Sequence, residues 1–193
     1  PNGPISVRTI DLDLDNDTDF VVAAFDGDAI YWYENNGSQS FTQRTVVSSG
    51  IDAPREIWPV DLDLDGDMDI ISGIYNDQDL VWYENNGFES FTKNIIVSDA
   101  GFRPFVIDLD EDGDMDIVNP DASSDELLWF ENNGAASFTE RTIDGNIDNP
   151  RGVSVADLDE DGDLDIVTVS YDDDDVVWYA NNGSESFTKS TID

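Results

Sequence analysis

The chain contains no cysteine and no histidine. Without cysteine there is no disulfide framework, no thiolate metal site and no thiol nucleophile. Without histidine the commonest general base and the commonest zinc ligand are both missing. Positive charge is scarce as well: 8 Lys and Arg stand against 45 Asp and Glu, a net charge of -37. Phosphate backbones are bound through clustered Lys and Arg, so nucleic acid is a poor partner for this surface. Anionic membrane surfaces are excluded on the same ground. No apolar run approaches the roughly 18 residues of a membrane span, which argues against membrane insertion. The chain starts at Pro1 without a signal-like segment and reads as a mature or excised piece of a longer product.

Hydrophobic residues make up 39% of the 193 residues and aromatics 11%, so the acidity is not that of a disordered tail. This is enough chain and enough apolar surface for a packed core. Cations are the natural partners.

The acidic residues are ordered by a repeat. An aspartate-rich nonapeptide recurs at 11–19 (DLDLDNDTD), 61–69 (DLDLDGDMD), 108–116 (DLDEDGDMD) and 157–165 (DLDEDGDLD). The first Asp of successive copies lie 50, 47 and 49 residues apart. Each copy is followed at a fixed distance by a tryptophan, Trp32, Trp82, Trp129 or Trp178, in the segments YWYENNG, VWYENNG, LWFENNG and VWYANNG. A Phe-Thr pair then follows, at Phe41, Phe91, Phe138 and Phe187. Spacing inside the unit is invariant, and all length variation falls between that Phe and the next loop. Length changes are tolerated where units join at the surface. We therefore expect a single repeat domain over 1–193, with units near 1–49, 50–99, 100–146 and 147–193.

Each unit reads as four short strands. Val, Ile, Tyr, Trp, Phe and Thr dominate runs of strand length, and no segment carries a 3.6-residue period. Asn-Asn-Gly is turn chemistry, because Asn and Gly accept positive φ. Four-stranded units of this length predict an all-β fold, a β-propeller of four-stranded antiparallel blades. The four repeats would either close alone or form half of a larger propeller. A β-solenoid has shorter repeats, and an immunoglobulin-like sandwich needs about 100 residues per domain.

The aspartate loop is a candidate metal site. Calcium takes 6–8 oxygen ligands, many of them carboxylates. Positions 1, 3, 5 and 9 are Asp11, Asp13, Asp15 and Asp19 in the first copy, and Asp61, Asp63, Asp65 and Asp69 in the second. They are Asp108, Asp110, Asp112 and Asp116 in the third, and Asp157, Asp159, Asp161 and Asp165 in the fourth. Position 7 is Asp17, Asp67, Asp114 or Asp163; there we expect the backbone carbonyl as ligand and a spare carboxylate. Position 6 needs a sharp turn, supplied by Gly66, Gly113 and Gly162, with Asn16 as the next best residue. An EF-hand would need Glu at position 12 between helices; Val22, Ser72, Asn119 and Thr168 stand there. A merely solvated acidic loop does not account for four copies in fixed register. Magnesium's strict octahedral geometry makes calcium the better fit.

Other residues were weighed against plainer roles. The four tryptophans are expected to pack between units rather than to stack on sugars. Glu34, Glu84 and Glu131 read as solvated strand ends, since Ala180 replaces them in the fourth unit. Arg55, Arg103 and Arg151 are expected to pair with carboxylates of a neighbouring unit. Arg8, Trp58, Phe105 and Ser154, three residues before each loop, vary most and mark a place for a specific ligand.

Together the loops and the WYENNG…FT segment resemble the FG-GAP/VCBS repeat family, the calcium-binding propeller repeats related to the integrin α-subunit head. The resemblance covers essentially the whole chain and is nearest to the secreted bacterial type. It implies one calcium in each repeat, four in total, and an extracellular or cell-surface setting. It also implies a non-enzymatic module for adhesion or for recognition of a protein or other ligand. A lectin-like propeller is the alternative function, with Trp58 or Phe105 as the residues to test. An accessory or catalytic domain of a polysaccharide-degrading enzyme is the third. Many members have more blades than four, so a homodimer completing a larger propeller is a further expectation.

Overall fold

The computed structural model describes residues 1–88, 90–101 and 103–192. Two compact units divide the chain, Pro1–Phe102 and Arg103–Asp193, and each holds two sheets. The first unit contains β1 (Pro4–Ile10), β2 (Asp19–Ala24), β3 (Ala29–Asn35) and β4 (Phe41–Val47) in one sheet. Its second sheet is β5 (Pro54–Val60), β6 (Asp69–Ile74), β7 (Asp79–Asn85) and β8 (Phe91–Val97). The second unit contains β9 (Phe105–Ile107), β10 (Asp116–Asp121), β11 (Glu126–Glu131) and β12 (Thr139–Asp144), then β13 (Pro150–Ala156), β14 (Asp165–Ser170), β15 (Asp175–Asn181) and β16 (Phe187–Thr191). Strands pair antiparallel with their neighbours in sequence, so each sheet is a four-stranded meander, the form of a propeller blade. Each sheet lies within one of the four expected repeats. Among the described residues no helix is long and apolar enough to cross a membrane.

Side-chain alternation gives every sheet two faces. In the first sheet Val21 pairs with Trp32 and Ala23 with Ile30, which sets these four on one face. In the second sheet Ile70 pairs with Tyr83, and Ile57 and Val81 both pair with Ser72. The Trp-bearing face of the first sheet packs on the Tyr-bearing face of the second, in one core that also takes in Leu12 and Ile51. The second unit repeats the arrangement. Leu109, Val118, Leu127 and Trp129 of its first sheet meet Ile166, Val177 and Tyr179 of its last, with Ile147 closing the joint. Trp32 and Trp129 are 1% exposed, so both are packing residues as expected.

Ile147 shows how a joint is fixed. It lies in the connection between sheets, and its N–H donates to the Asp125 carbonyl at 3.1 Å. Asp125 has φ 59, a left-handed turn residue of the β10–β11 hairpin. Ala100 and Gln78 form the same bond after the second sheet. These two variable-length connections are therefore each anchored at a buried residue, Ala100 or Ile147.

Candidate metal centre

Each aspartate loop joins the first and second strands of a sheet, and its conformation is set by hydrogen bonds within the loop. The position-1 carboxylate accepts from the N–H of position 6: Asn16 to Asp11 at 2.9 Å, and Gly66 to Asp61, Gly113 to Asp108 and Gly162 to Asp157 at 3.1 Å. Position 3 accepts from the N–H of position 5 at 3.3 Å in all four copies. Position 5 accepts from the N–H of position 7 at 2.8–3.0 Å. Such Asp-to-backbone bonds mimic a turn and need positive φ nearby. Gly66, Gly113 and Gly162 have φ of 98, 103 and 101, and Asn16 has 73. Position 4 is also left-handed, at Leu14, Leu64, Glu111 and Glu160, although none of these is a residue that favours it.

These bonds turn three carboxylates toward one point. Asp11, Asp13 and Asp15 each offer an oxygen, and the three lie within 4.8 Å of one another. The same holds for Asp61, Asp63 and Asp65, for Asp108, Asp110 and Asp112, and for Asp157, Asp159 and Asp161. Oxygens on opposite sides of a calcium ion, at about 2.4 Å each, stand about 4.8 Å apart. In the first three loops the second oxygen of position 1, Oδ1 of Asp11, Asp61 and Asp108, is buried and accepts no hydrogen bond. A buried unpaired carboxylate oxygen is unfavourable unless something positive meets it. The donor set therefore fits a hard cation. Burial, opposed by the N–H of the position-5 residue, raises the carboxyls of Asp13, Asp63 and Asp110, and neighbouring aspartates add to the rise. In the fourth loop Asp157, Asp159 and Asp161 are all exposed, and Asp157 Oδ1 accepts from the Asp161 N–H at 3.1 Å.

Position 9 sits elsewhere. Asp19, Asp69, Asp116 and Asp165 are buried at the start of the second strand. One oxygen accepts from the N–H of position 2, at 3.2 Å for Leu12, 3.3 Å for Leu62, 3.2 Å for Leu109 and 3.1 Å for Leu158. The other accepts from the N–H of the first Asn in the Asn-Asn-Gly turn, at 2.7 Å for Asn35 and Asn85 and 2.8 Å for Asn132 and Asn181. The Trp32 indole N–H adds a third bond to Asp19 at 2.8 Å. The Trp82 and Trp129 indoles lie near Asp69 and Asp116 but make no hydrogen bond to them. Burial pushes the carboxyl of Asp69 up to about 6 and that of Asp116 to about 7, against the pull of the backbone bonds.

Position 7 is set apart again. The carboxylate of Asp17, Asp67, Asp114 or Asp163 lies over the glycine of the Asn-Asn-Gly turn. A Cβ on Gly37 would stand 2.3 Å from Asp17 Oδ2, and one on Gly87 would stand 2.4 Å from Asp67 Oδ2. The turn glycine thus serves two needs, a φ near +70 and room for an aspartate. The side chain of the first Asn returns a bond to the position-8 carbonyl, Asn35 to Thr18 and Asn85 to Met68 at 3.1 Å. Asn-Asn-Gly is therefore a brace for the loop as well as a turn.

Two other expectations change. Glu34 and Glu131 are not merely solvated strand ends: each accepts from an arginine on the adjacent strand, Arg44 and Arg141. Glu84 accepts from Asn94 at 3.1 Å. In the fourth unit both partners change together, to Ala180 and Ser190. The ten-residue spacing of each pair was visible in the sequence; the strand register that joins them was not. Arg141 also lies 5.2 Å over the Trp129 ring and 2.9 Å from Glu185. It therefore supplies the positive charge for the acidic group of Asp110, Glu131 and Glu185. Arg55 and Arg151 stack over Tyr75 and Tyr171, at 5.5 and 5.3 Å, and Arg103 donates to the Arg151 carbonyl at 3.1 Å. Of the variable positions before the loops, Trp58 lies under Arg8 at 4.8 Å and Phe105 packs on the core of the second unit.

Grooves lie beside the loops in both units. One of about 410 Å³ is bordered by Asp110, Trp129, Glu131, Asn181, Glu185 and Phe187. One of about 300 Å³ is bordered by Leu14, Asp67, Asn85, Gly87 and Phe88. Phe88 is 86% exposed and stands where the other repeats have Ser38, Ala135 and Ser184. That contrast was legible in the aligned repeats.

The FG-GAP-like repeat family matches residues 11–72, 61–119 and 108–168. The chain belongs to this family. Each FG-GAP-like match runs from one aspartate loop to the strand after the next, so consecutive matches share a loop. No curated protein matches the chain. Among solved structures it is similar to a lectin of Agrocybe aegerita described as recognising non-reducing terminal N-acetylglucosamine. Identity is 21% over 97% of this chain and 53% of that one, with a TM-score of 0.68. It is also similar to BBS1N, solved in complex with ARL6DN from a lead-soaked crystal, at 15% identity over 99% of this chain and 58% of that one, with a TM-score of 0.60. The fold is that of a β-propeller, and the chain spans just over half the length of these structures.

Proposed function

We propose that this FG-GAP-like chain is a calcium-stabilised propeller module for recognition, acting outside the cell or at its surface in adhesion or in binding a protein or other ligand. The observation that carries the calcium reading is the buried, unpaired Oδ1 of Asp11, Asp61 and Asp108, each with two further carboxylates in reach. Positions 1, 3 and 5 supply the side-chain ligands and position 7 a backbone carbonyl. Asp19, Asp69, Asp116 and Asp165 hold the loop from beneath, and the oxygen of each that accepts from the Asn-Asn-Gly turn keeps a lone pair for the ion. One calcium per repeat would move the net charge of -37 by +8, so the surface stays acidic. We read the module as non-catalytic, since its carboxylates are committed to loops and ion pairs.

Support for recognition comes from the family and from the propeller fold, whose rigid sheets display loops. The test is calcium titration by calorimetry together with thermal unfolding in calcium and in excess chelator. Saturable binding of several ions, with a lower midpoint in chelator, is expected. An unchanged midpoint would refute the metal reading.

A second reading, a lectin-like module, is favoured by the groove beside Trp129 and Phe187 and by exposed Phe88 next to Leu14. Aromatic faces beside hydrogen-bonding side chains suit sugar rings. Glycan-array binding lost in Phe88→Ala, with the fold unchanged, would support it. Binding to a protein with silence on glycans would remove it.

A further inference from the structure

Equivalent residues have unequal exposure at the two ends of the chain. On the Tyr-bearing face Ile57 is 0% exposed in the second sheet, while Val7, its counterpart in the first, is 57% exposed. Ile70 and Tyr83 are buried, while Phe20 and Tyr33 are half-buried and stack on one another at 4.7 Å. Pro4, Ile5, Val7, Phe20, Val22 and Tyr33 border an apolar hollow of about 450 Å³ on this face. On the Trp-bearing face the inequality runs the other way. Leu12 and Ala23 of the first sheet are 3% and 0% exposed, while Leu158 and Val169 of the last are 51% and 39%. Trp178 and Val176 are half-buried, where Trp32 and Ile30 are fully buried.

A terminal repeat that is meant to face water carries a polar outer face. Neither end of this chain does. The two exposed faces are the two halves of one joint, and that joint is made within each unit: Trp face on Tyr face, with the same repeat positions. The first sheet lacks a Trp face to lie on its Tyr face, and the last sheet lacks the reverse. A second copy of this chain is the occupant that matches both faces, since it brings a Trp face to the first sheet and a Tyr face to the last.

We propose that two copies of this chain associate head to tail, the Val7–Phe20–Tyr33 face of each receiving the Leu158–Val169–Trp178 face of the other. A two-fold ring uses both faces of both copies and leaves neither exposed, whereas an unclosed head-to-tail contact would grow into a filament. The proposal rests on the propeller fold and not on the calcium reading. It also accounts for the exposed fourth loop: Leu158, its second residue, lies on the face that the partner covers.

The experiment is light scattering on the purified chain at micromolar concentration, in calcium and in chelator. A mass of twice 21.4 kDa is expected. Val7→Asp and Val169→Lys should each give the single-chain mass with unchanged β-sheet circular dichroism, since both positions are exposed in the lone chain. Mixing the two variants should restore the double mass, because one joint then has native residues and the other faces Asp with Lys. Ile57 and Ala23, at these repeat positions, share one core in the first unit. A single-chain mass for the unsubstituted protein would overturn the proposal. So would a mass above two copies, or a dimer that survives both substitutions.

Discussion

Replacing Asp69 by alanine separates the aspartates that hold the loop from those that face its centre. Asp69 is 0% exposed and accepts the N–H of Leu62 at 3.3 Å and of Asn85 at 2.7 Å, with the Trp82 indole turned toward it. Alanine leaves the two backbone donors without an acceptor, and each orphaned donor costs about 1–3 kcal/mol. Burial of the charge, which pushes the carboxyl up to about 6, is relieved by the change and offsets part of this loss. A net loss of about 3 kcal/mol is expected. For a chain of 193 residues each kcal/mol moves the midpoint by about 2–4 °C, so the shift is on the order of 10 °C. The measurement is thermal unfolding followed by tryptophan fluorescence, made in excess chelator so that no ion contributes. Asp63→Asn is the control. Its carboxyl makes one bond at 3.3 Å, to the N–H of Asp65, and is raised by burial and by the charges of Asp65 and Asp61. In chelator it should be neutral or slightly stabilising, and in calcium it should be destabilising. If Asp69→Ala leaves the midpoint in chelator unmoved, the structural role of position 9 is wrong. If Asp63→Asn behaves alike with and without calcium, position 3 is not a ligand.

Gly87→Ala should lose about 1–2 kcal/mol, because φ is +72 and the new Cβ meets Asp67; Asp67→Ala in the same chain should recover the steric part only, as read by urea midpoints. Ile57→Ala should lose about 3 kcal/mol from the first unit's core, while Val7→Ala, at the same repeat position, should change monomer stability by less than about 0.5 kcal/mol and weaken self-association instead. Asp144 is half-buried, which alone would raise its carboxyl, but hydrogen bonds from Lys189 and Tyr179, both at 2.7 Å, lower it below the ordinary value. A lowered folded-state value adds stability above the ordinary carboxylate range that is lost as pH falls through the folded value. Asp144→Asn should therefore reduce stability at neutral pH and flatten its loss on acidification, measured by unfolding at pH 7 and pH 3.

Much of the scaffold was legible in the amino-acid sequence because it is local and repeated. The left-handed turn at Gly66 follows from a residue without Cβ, and four copies in register identify it as a rule. Alternation of Val, Ile, Tyr and Trp fixes two faces on each strand, so four-stranded sheets and packed tryptophans follow. What the sequence could not separate is position 9 from positions 1, 3 and 5, or what the spare carboxylate of position 7 faces. Asp63, Asp67 and Asp69 are chemically identical, yet they point to the loop centre, to Gly87 and to the backbone of Leu62 and Asn85. That division is made by the β6–β7 hairpin, which brings Asn85 and Gly87 under the loop from 16 and 20 residues away. The pairing of Glu34 with Arg44 likewise needs the strand register, and the stacking of Arg55 on Tyr75 needs the β6 end beside β5. Tertiary structure alone also decides which faces are covered. Val7 and Ile57 belong to the same pattern, but only Ile57 has a sheet lying on it, because burial is a property of neighbours and not of the strand that carries the residue.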